Sequence, residues 1–200
     1  MTGVLIEEGM MAISKREQLL DTALRLFYRE GYHATGIERI LAESGVAKMT
    51  LYKHFASKDE LMLAALQRRH EQLAELLQAV FRQPPAQALQ ACFDGLQQWI
   101  AAADFCGCPF SHAAAEFQQA EHPLHQQARR HKALLGELFD AALVQLGVAQ
   151  PAQLAQQLLL LFEGALSLAH VQGPAEQGRQ AGAAASVLLA AAGVQLPPSR

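Results

Sequence analysis

The chain has 200 residues, 51% of them hydrophobic, and a formal charge of −3. That is ample for a sizeable core, too short for three domains, and too acidic overall for nucleic-acid binding spread across the whole surface. Ala, Leu and Gln dominate while Val, Ile and Thr are scarce, a composition that favours helices over strands.

Residues 1–13 have no clear periodicity and read as a flexible N-terminal arm, with Met10 and Met11 as alternative starts. Ser14 with Glu17 three residues later is a capping box, in which each residue satisfies a free amide at a helix start. Leu20, Ala23, Leu24 and Phe27 follow at helical spacing, and Gly31 ends this first helix. Thr35 and Glu38 repeat the capping pattern ahead of a short helix through Ile37, Ile40 and Leu41. Ser44-Gly45-Val46 interrupts it, and Gly45 permits the left-handed backbone of a sharp turn. A third short helix is expected over 47–54. Ser57 and Glu60 form another capping box at the head of a long helix, which reaches about residue 82 before Pro84 and Pro85 stop it. Further helices are expected over 86–103, 109–119, 123–147, 151–173 and 175–193, bounded by Cys106-Gly107-Cys108-Pro109, Pro123, Gly147 to Pro151, and Gly173-Pro174. No stretch alternates as a strand does, so the fold class is all-α.

Charge is unevenly placed. From Val46 to Lys58 there is no acid, and Lys48, Lys53 and Lys58 all fall there; beyond Glu71 acids outnumber bases. Charge alone leaves open an ordinary solvated face, but it also fits a DNA reader with a separate regulatory body. Two short helices around a glycine turn, with apolar residues on each, make a helix-turn-helix. Ile37, Ile40 and Leu41 face inward from the first, and Val46, Leu51 and Phe55 from the second. Lys48, Met49, Thr50, Tyr52, Lys53 and His54 are left outside, on a helix that can enter a major groove by its first turn. Lys48 is suited to guanine and Thr50 to a base or phosphate, while Tyr52 and His54 suit the sugar-phosphate backbone. Lys58, in the first turn of the next helix, is placed to grip a phosphate.

The stretch from Arg16 to Leu66 resembles the DNA-binding domain of the TetR/AcrR transcriptional regulators. The matching residues are Ala23 and Phe27; Gly31, Tyr32 and Thr35; Ile40-Leu41-Ala42 and Ser44-Gly45-Val46; Thr50-Leu51-Tyr52, His54-Phe55 and Lys58-Asp59-Glu60-Leu61. The resemblance implies nine helices: a three-helix DNA-binding head, taken as 14–60, and a six-helix body, 61–200, that dimerises and binds an effector. It also implies Thr35 among the DNA-contacting residues. Met49 departs from the small residue often found there and leaves the operator open. The segment Gly107 to Pro123 resembles one subgroup of the family and implies no particular ligand.

The body offers several readings. Cys106 and Cys108, at a helix start, suit a thiol-based redox or electrophile switch, or are simply small buried hydrophobes. Cys108 with His112, and His122 with His125, have the spacing of metal ligands, but no set of three or four converges, so no metal or other cofactor is expected. The effector pocket is expected among Trp99, Phe105, Cys108, Phe110, His112, Glu116, Phe117, Phe139, Phe162 and His170, with Glu163 as an alternative polar anchor. Such a lining suits an apolar or aromatic small molecule. The last two helices, rich in Leu, Ala and Gly, are expected to pair with a second copy through Leu159, Phe162, Leu166, Ala169 and Leu188. A homodimer would set two heads about 34–36 Å apart on a palindromic operator. An effector that shifts the long helix 57–82 would then release a repressor from DNA. No secretory leader is recognisable, the three cysteines are expected as free thiols in the cytoplasm, and the apolar run Leu158–Leu168 is too short to cross a membrane. An enzyme using Cys108 or Glu116 with His112, or a structural adaptor, are the competing readings. Neither accounts for an exposed Lys/Thr/Tyr face after a glycine turn.

Overall fold

The structure, a computed structural model, describes residues 14–197. The expected arm at 1–13 and the question of the start at Met10 or Met11 lie outside those residues. Among the described residues there are nine helices and no strand: α1 (Lys15–Glu30), α2 (Ile37–Ser44), α3 (Lys48–His54), α4 (Lys58–Val80), α5 (Pro85–Ile100), α6 (Pro109–Glu116), α7 (Pro123–Gln145), α8 (Pro151–Gln172) and α9 (Gln177–Ala191). Prolines open α5, α6, α7 and α8, where the missing N–H costs nothing.

The three capping boxes fare differently. Ser14 Oγ accepts the Glu17 amide at 3.2 Å, but the Glu17 carboxylate turns to Arg68 of α4 instead of back to its own helix start. Ser57 Oγ accepts the Glu60 amide at 3.1 Å, and Glu60 returns to the Ala56 amide at 2.6 Å. The middle box does not form: Gly36 is the N-cap of α2, and Thr35 lies one residue upstream.

The head is α1, α2 and α3 around Leu19, Leu20, Leu26, Phe27, Ile40, Leu51 and Phe55. The first half of α4 belongs to the same core, since Leu61, Met62, Ala65 and Leu66 are all buried. Arg68, paired with Glu17 and Asp21, ties α4 to α1. The body is α5 to α9 with the second half of α4, and α8 packs between α7 and α9. At 22 residues α8 is longer than the apolar run in the sequence foretold, and it has the length and mean hydropathy (1.3) of a membrane span. Here, however, Leu154, Leu158, Phe162, Ala165, Leu166 and Ala169 are buried within the body.

Candidate functional site

Gly45 sits at φ 64°, ψ 16°, the left-handed region that makes the α2-to-α3 turn. Its amide donates to the Leu41 carbonyl, closing α2. Val46, Leu51 and Phe55 anchor the turn and α3 in the core, which forces the remaining α3 side chains outward. Met49 is 88% exposed, and Lys48, Tyr52 and Lys53 are exposed; Thr50 and His54 are half-buried. Lys48 Nζ is held 2.7 Å from Glu38 of α2, which raises the lysine above its ordinary value. Lys53 has no ion-pair partner among the described residues. Lys58 is half-buried, and its ammonium donates to the His33 carbonyl at 3.1 Å.

Thr35 corrects the expectation. It is wholly buried, and its hydroxyl donates to the Gly31 carbonyl at 2.7 Å. It locks the α1-to-α2 connection and presents no side chain to DNA.

The body holds a cavity of about 680 Å³ between α4, α5, α7 and α8, in the size range of small-molecule sites. Leu73, Leu76, Leu77, Leu96, Trp99, Leu135, Phe162 and Leu166 give it apolar walls. Of the expected lining, Trp99, Cys108 and Phe162 are there, as is Glu163. The others are elsewhere. Phe110 and Phe139 are fully buried in the core, because aromatics at helical spacing serve packing as readily as ligands. Phe105, His112, Glu116 and His170 line a separate, shallower depression against α1, and Phe117 stacks between His33 and His122.

The polar end of the cavity adds His131 and Lys132 to the expected Cys108 and Glu163. His131 and Lys132 on α7, which no sequence motif marks, both face inward. The Lys132 ammonium contacts Glu163 of α8 and lies 3.1 Å from Cys108 Sγ. Burial opposes its charge, but Cys108 and Glu163 together hold it above the ordinary lysine value, so it stays protonated. His131 stacks on Phe110 with centroids 3.7 Å apart and meets His70 Nδ1 at 3.2 Å. Cys92, also on the wall, is pushed up to about 12 by burial alone.

Helix α6 joins cavity to head. At its start Cys108 touches Lys132; just before it, Tyr28 of α1 donates to the Gly107 carbonyl at 3.0 Å and accepts the Cys106 amide at 2.9 Å. Gly107 has φ 91°, a backbone angle that strains any L side chain, and an added Cβ would lie 2.8 Å from His170 Nδ1 and 2.9 Å from His112 Nε2, so both imidazoles would have to shift. At the other end of α6, Glu116 accepts the Tyr32 and His33 amides at 2.9 and 2.6 Å and meets His33 Nδ1 at 2.9 Å. Burial raises the Glu116 carboxyl, but those amides and His33 outweigh it and hold it below the usual range.

The suspected metal pairs do not assemble. His122 caps α7 by accepting the Leu124 amide, His125 bonds the Phe117 carbonyl, and His112 lies against His170. Among the described residues no three His, Cys, Asp or Glu side chains gather around a common point. Three of the expected interface residues, Phe162, Leu166 and Ala169, are buried within the monomer and have no surface to offer a second copy. Leu159 and Leu188 are half-buried, and the outward apolar side chains of α8 and α9 are Leu160, Leu168, Val171 and Val187.

A recognition helix propped outward by a buried partner, and joined through one unbroken helix to a body with a ligand-sized cavity, defines the helix-turn-helix class of DNA-binding transcriptional regulators. Comparison with known proteins narrows the class. Residues 19–65 match the bacterial regulatory proteins of the tetR family, and residues 85–184 match the C-terminal domain of LmrA/YxaF-like transcriptional regulators. The regulator LmrA of Bacillus subtilis is 30% identical over 141 residues, spanning 68% of this chain and 74% of LmrA. The uncharacterised regulator YxaF of the same organism is 30% identical over 159 residues, 76% of this chain and 83% of YxaF. A TetR-family regulator from Streptomyces coelicolor superposes with a TM-score of 0.85 at 29% identity, covering 89% of this chain and 95% of the other. The chain belongs to the TetR family of bacterial transcriptional regulators.

Proposed function

We propose that the protein is a homodimeric repressor that binds a palindromic operator in the cytoplasm and is released by an apolar or aromatic small molecule. Residues 14–60 read the DNA, and residues 61–200 hold the effector and the partner copy. One observation carries the reading: α4 is a single helix whose first half is buried in the head and whose second half walls the cavity. Whatever moves the wall from Arg69 to Val80 also moves Leu61 to Leu66, and with them α1, on which α4 packs and to which Arg68 ties it. The α6 clamp supplies a second route, from Cys108 to Glu116 and the Tyr32 amide. A ligand that favours the shifted body over the DNA-bound one changes the spacing of the two heads and lowers affinity.

The single tryptophan, Trp99, stands in the cavity wall and reports occupancy. A palindrome is first selected from random duplexes. Lys53→Ala is expected to weaken it uniformly and to lower the salt slope by about 0.9, the share of one phosphate contact. Aromatic compounds that quench Trp99 are expected to weaken operator binding about 5–150-fold. Quenching by a whole panel with operator affinity unmoved sinks the release mechanism.

A further inference from the structure

Two cysteines line the cavity, and only one has chemistry beside it. Cys92 faces it from α5 among apolar neighbours, with burial alone acting on its thiol. Cys108 is 5% exposed and sits at the polar end, with the Lys132 ammonium 3.1 Å from its sulfur and Glu163 behind that ammonium. Lys132 is therefore fixed by two partners, one of them a nucleophile-bearing side chain open to the cavity. A structural ion pair needs no sulfur, and a buried apolar thiol needs no ammonium. The grouping sets a nucleophile beside a fixed cation inside a ligand-sized space. Cys106 lacks the arrangement: it lies outside the cavity lining, and its amide is tied to Tyr28.

We propose that Cys108 is a covalent acceptor for apolar α,β-unsaturated ketones that enter the body cavity, with Lys132 meeting the negative charge that develops as they react. The sulfur bonds the β-carbon, and the electron pair of the C=C bond moves onto the carbonyl oxygen as an enolate. Lys132 lies within reach of that oxygen and stabilises it, as a fixed donor does for any developing oxyanion. The proton lost by the thiol returns to the α-carbon. The net change is addition of S–H across the double bond, with no oxidant consumed. The walls of Trp99, Phe162, Leu96, Leu135 and Leu166 select a flat, apolar body for the electrophile. The inference deepens the effector reading and rests on it, by naming the ligand class and the residue it joins.

The full chain is incubated with 4-phenylbut-3-en-2-one and followed by intact mass and peptide mapping. Its saturated analogue, 4-phenylbutan-2-one, has the same shape and no reactive double bond. The expected result is one added enone on Cys108, with Cys92 and Cys106 unmodified and Cys108→Ser inert. The saturated ketone is expected to quench Trp99, to add no mass, and to slow labelling by competition. Lys132→Met is expected to label about tenfold or more slowly. The double variant Lys132→Met/Glu163→Gln, which leaves no lone buried charge, is expected to do the same while keeping the helical circular dichroism of the parent. Labelling of Cys106 or Cys92 in place of Cys108, or labelling of Cys108 at an unchanged rate in both lysine variants, overturns the proposal. If the saturated ketone quenches Trp99 and the enone adds no mass, covalent capture falls while the cavity stands as an effector site.

Discussion

His131 illustrates how one buried residue couples this fold to pH. It is 9% exposed, stacked on Phe110 and bonded to His70. Burial first, then the charges of Lys132, His70 and Arg69, bring it from an ordinary value of 6.5 to about 3. Below pH 6.5 the unfolded chain therefore takes up a proton that the folded protein refuses. Stability is complete above that pH and is lost as pH falls from 6.5 towards 3, at a limiting rate of about 1.4 kcal/mol per pH unit. Glu116 behaves differently, because its depressed value places its loss below the ordinary 4.5. His112 is also lowered, by burial first and then by His170, so its contribution too is lost as pH falls below 6.5. The comparison that isolates His131 is its replacement by Gln, which still offers His70 a polar partner but does not titrate. Urea unfolding between about pH 7 and pH 5 is expected to show a shallower fall in midpoint for His131→Gln than for the parent. Equal falls in the two proteins would show that His131 is not held neutral by the fold.

At the scale of elements, α2 and α3 act as one unit through Glu38 and Lys48. Their pairing, at 2.7 Å between exposed side chains, contributes little stability because water and salt screen it. Its consequence is for the DNA contact proposed for Lys48: the lysine is held by a carboxylate that phosphates repel. Glu38→Gln frees the lysine and removes that repulsion. Binding to random-sequence duplex is expected to tighten and its salt slope to steepen by about one phosphate equivalent. Unchanged affinity and slope would mean that Lys48 does not approach the DNA. How far these elements were legible follows from the same residues. Gly45, Val46, Leu51 and Phe55 declare the turn and its buried side, so Met49, Tyr52 and Lys53 were placed outside by elimination. Thr35 misled because threonine serves equally as a helix cap and as a buried donor, and only the approach of the Gly31 carbonyl decides between them. His131 and Lys132 carry no signal in the sequence, because a His-Lys pair on a polar-looking helix is ordinarily solvated. Their inward direction depends on Cys108 and Phe110 at the start of α6 and on Glu163 of α8, which the sequence does not bring together.

For the whole molecule, the decisive surface is the outer side of α8 and α9. Sequence pattern marks both helices as apolar, but α8 is apolar nearly all round, and periodicity cannot say which side its own core takes. The structure assigns Phe162, Leu166 and Ala169 to the core and leaves Leu160, Leu168, Val171 and Val187 outside, Val171 at 78% exposure. Two adjacent helices with small residues and an uncovered apolar side suit an isologous contact between two copies. A single head has few groups with which to grip one half-site. Joining two heads makes the second contact intramolecular and multiplies affinity about 10²–10⁴-fold without any new group. Val171→Glu and Val187→Glu place a charge on this face while touching nothing in the core, so the helical circular dichroism and unfolding midpoint of each chain should survive. Sedimentation at micromolar concentration is expected to show monomers for either variant and dimers for the parent. Affinity for a palindrome is expected to fall about a hundredfold or more, towards that for an isolated half-site, which itself should not change. Variants that remain dimeric with full palindrome affinity would move the two-fold contact off this face and leave its apolar side chains without a role.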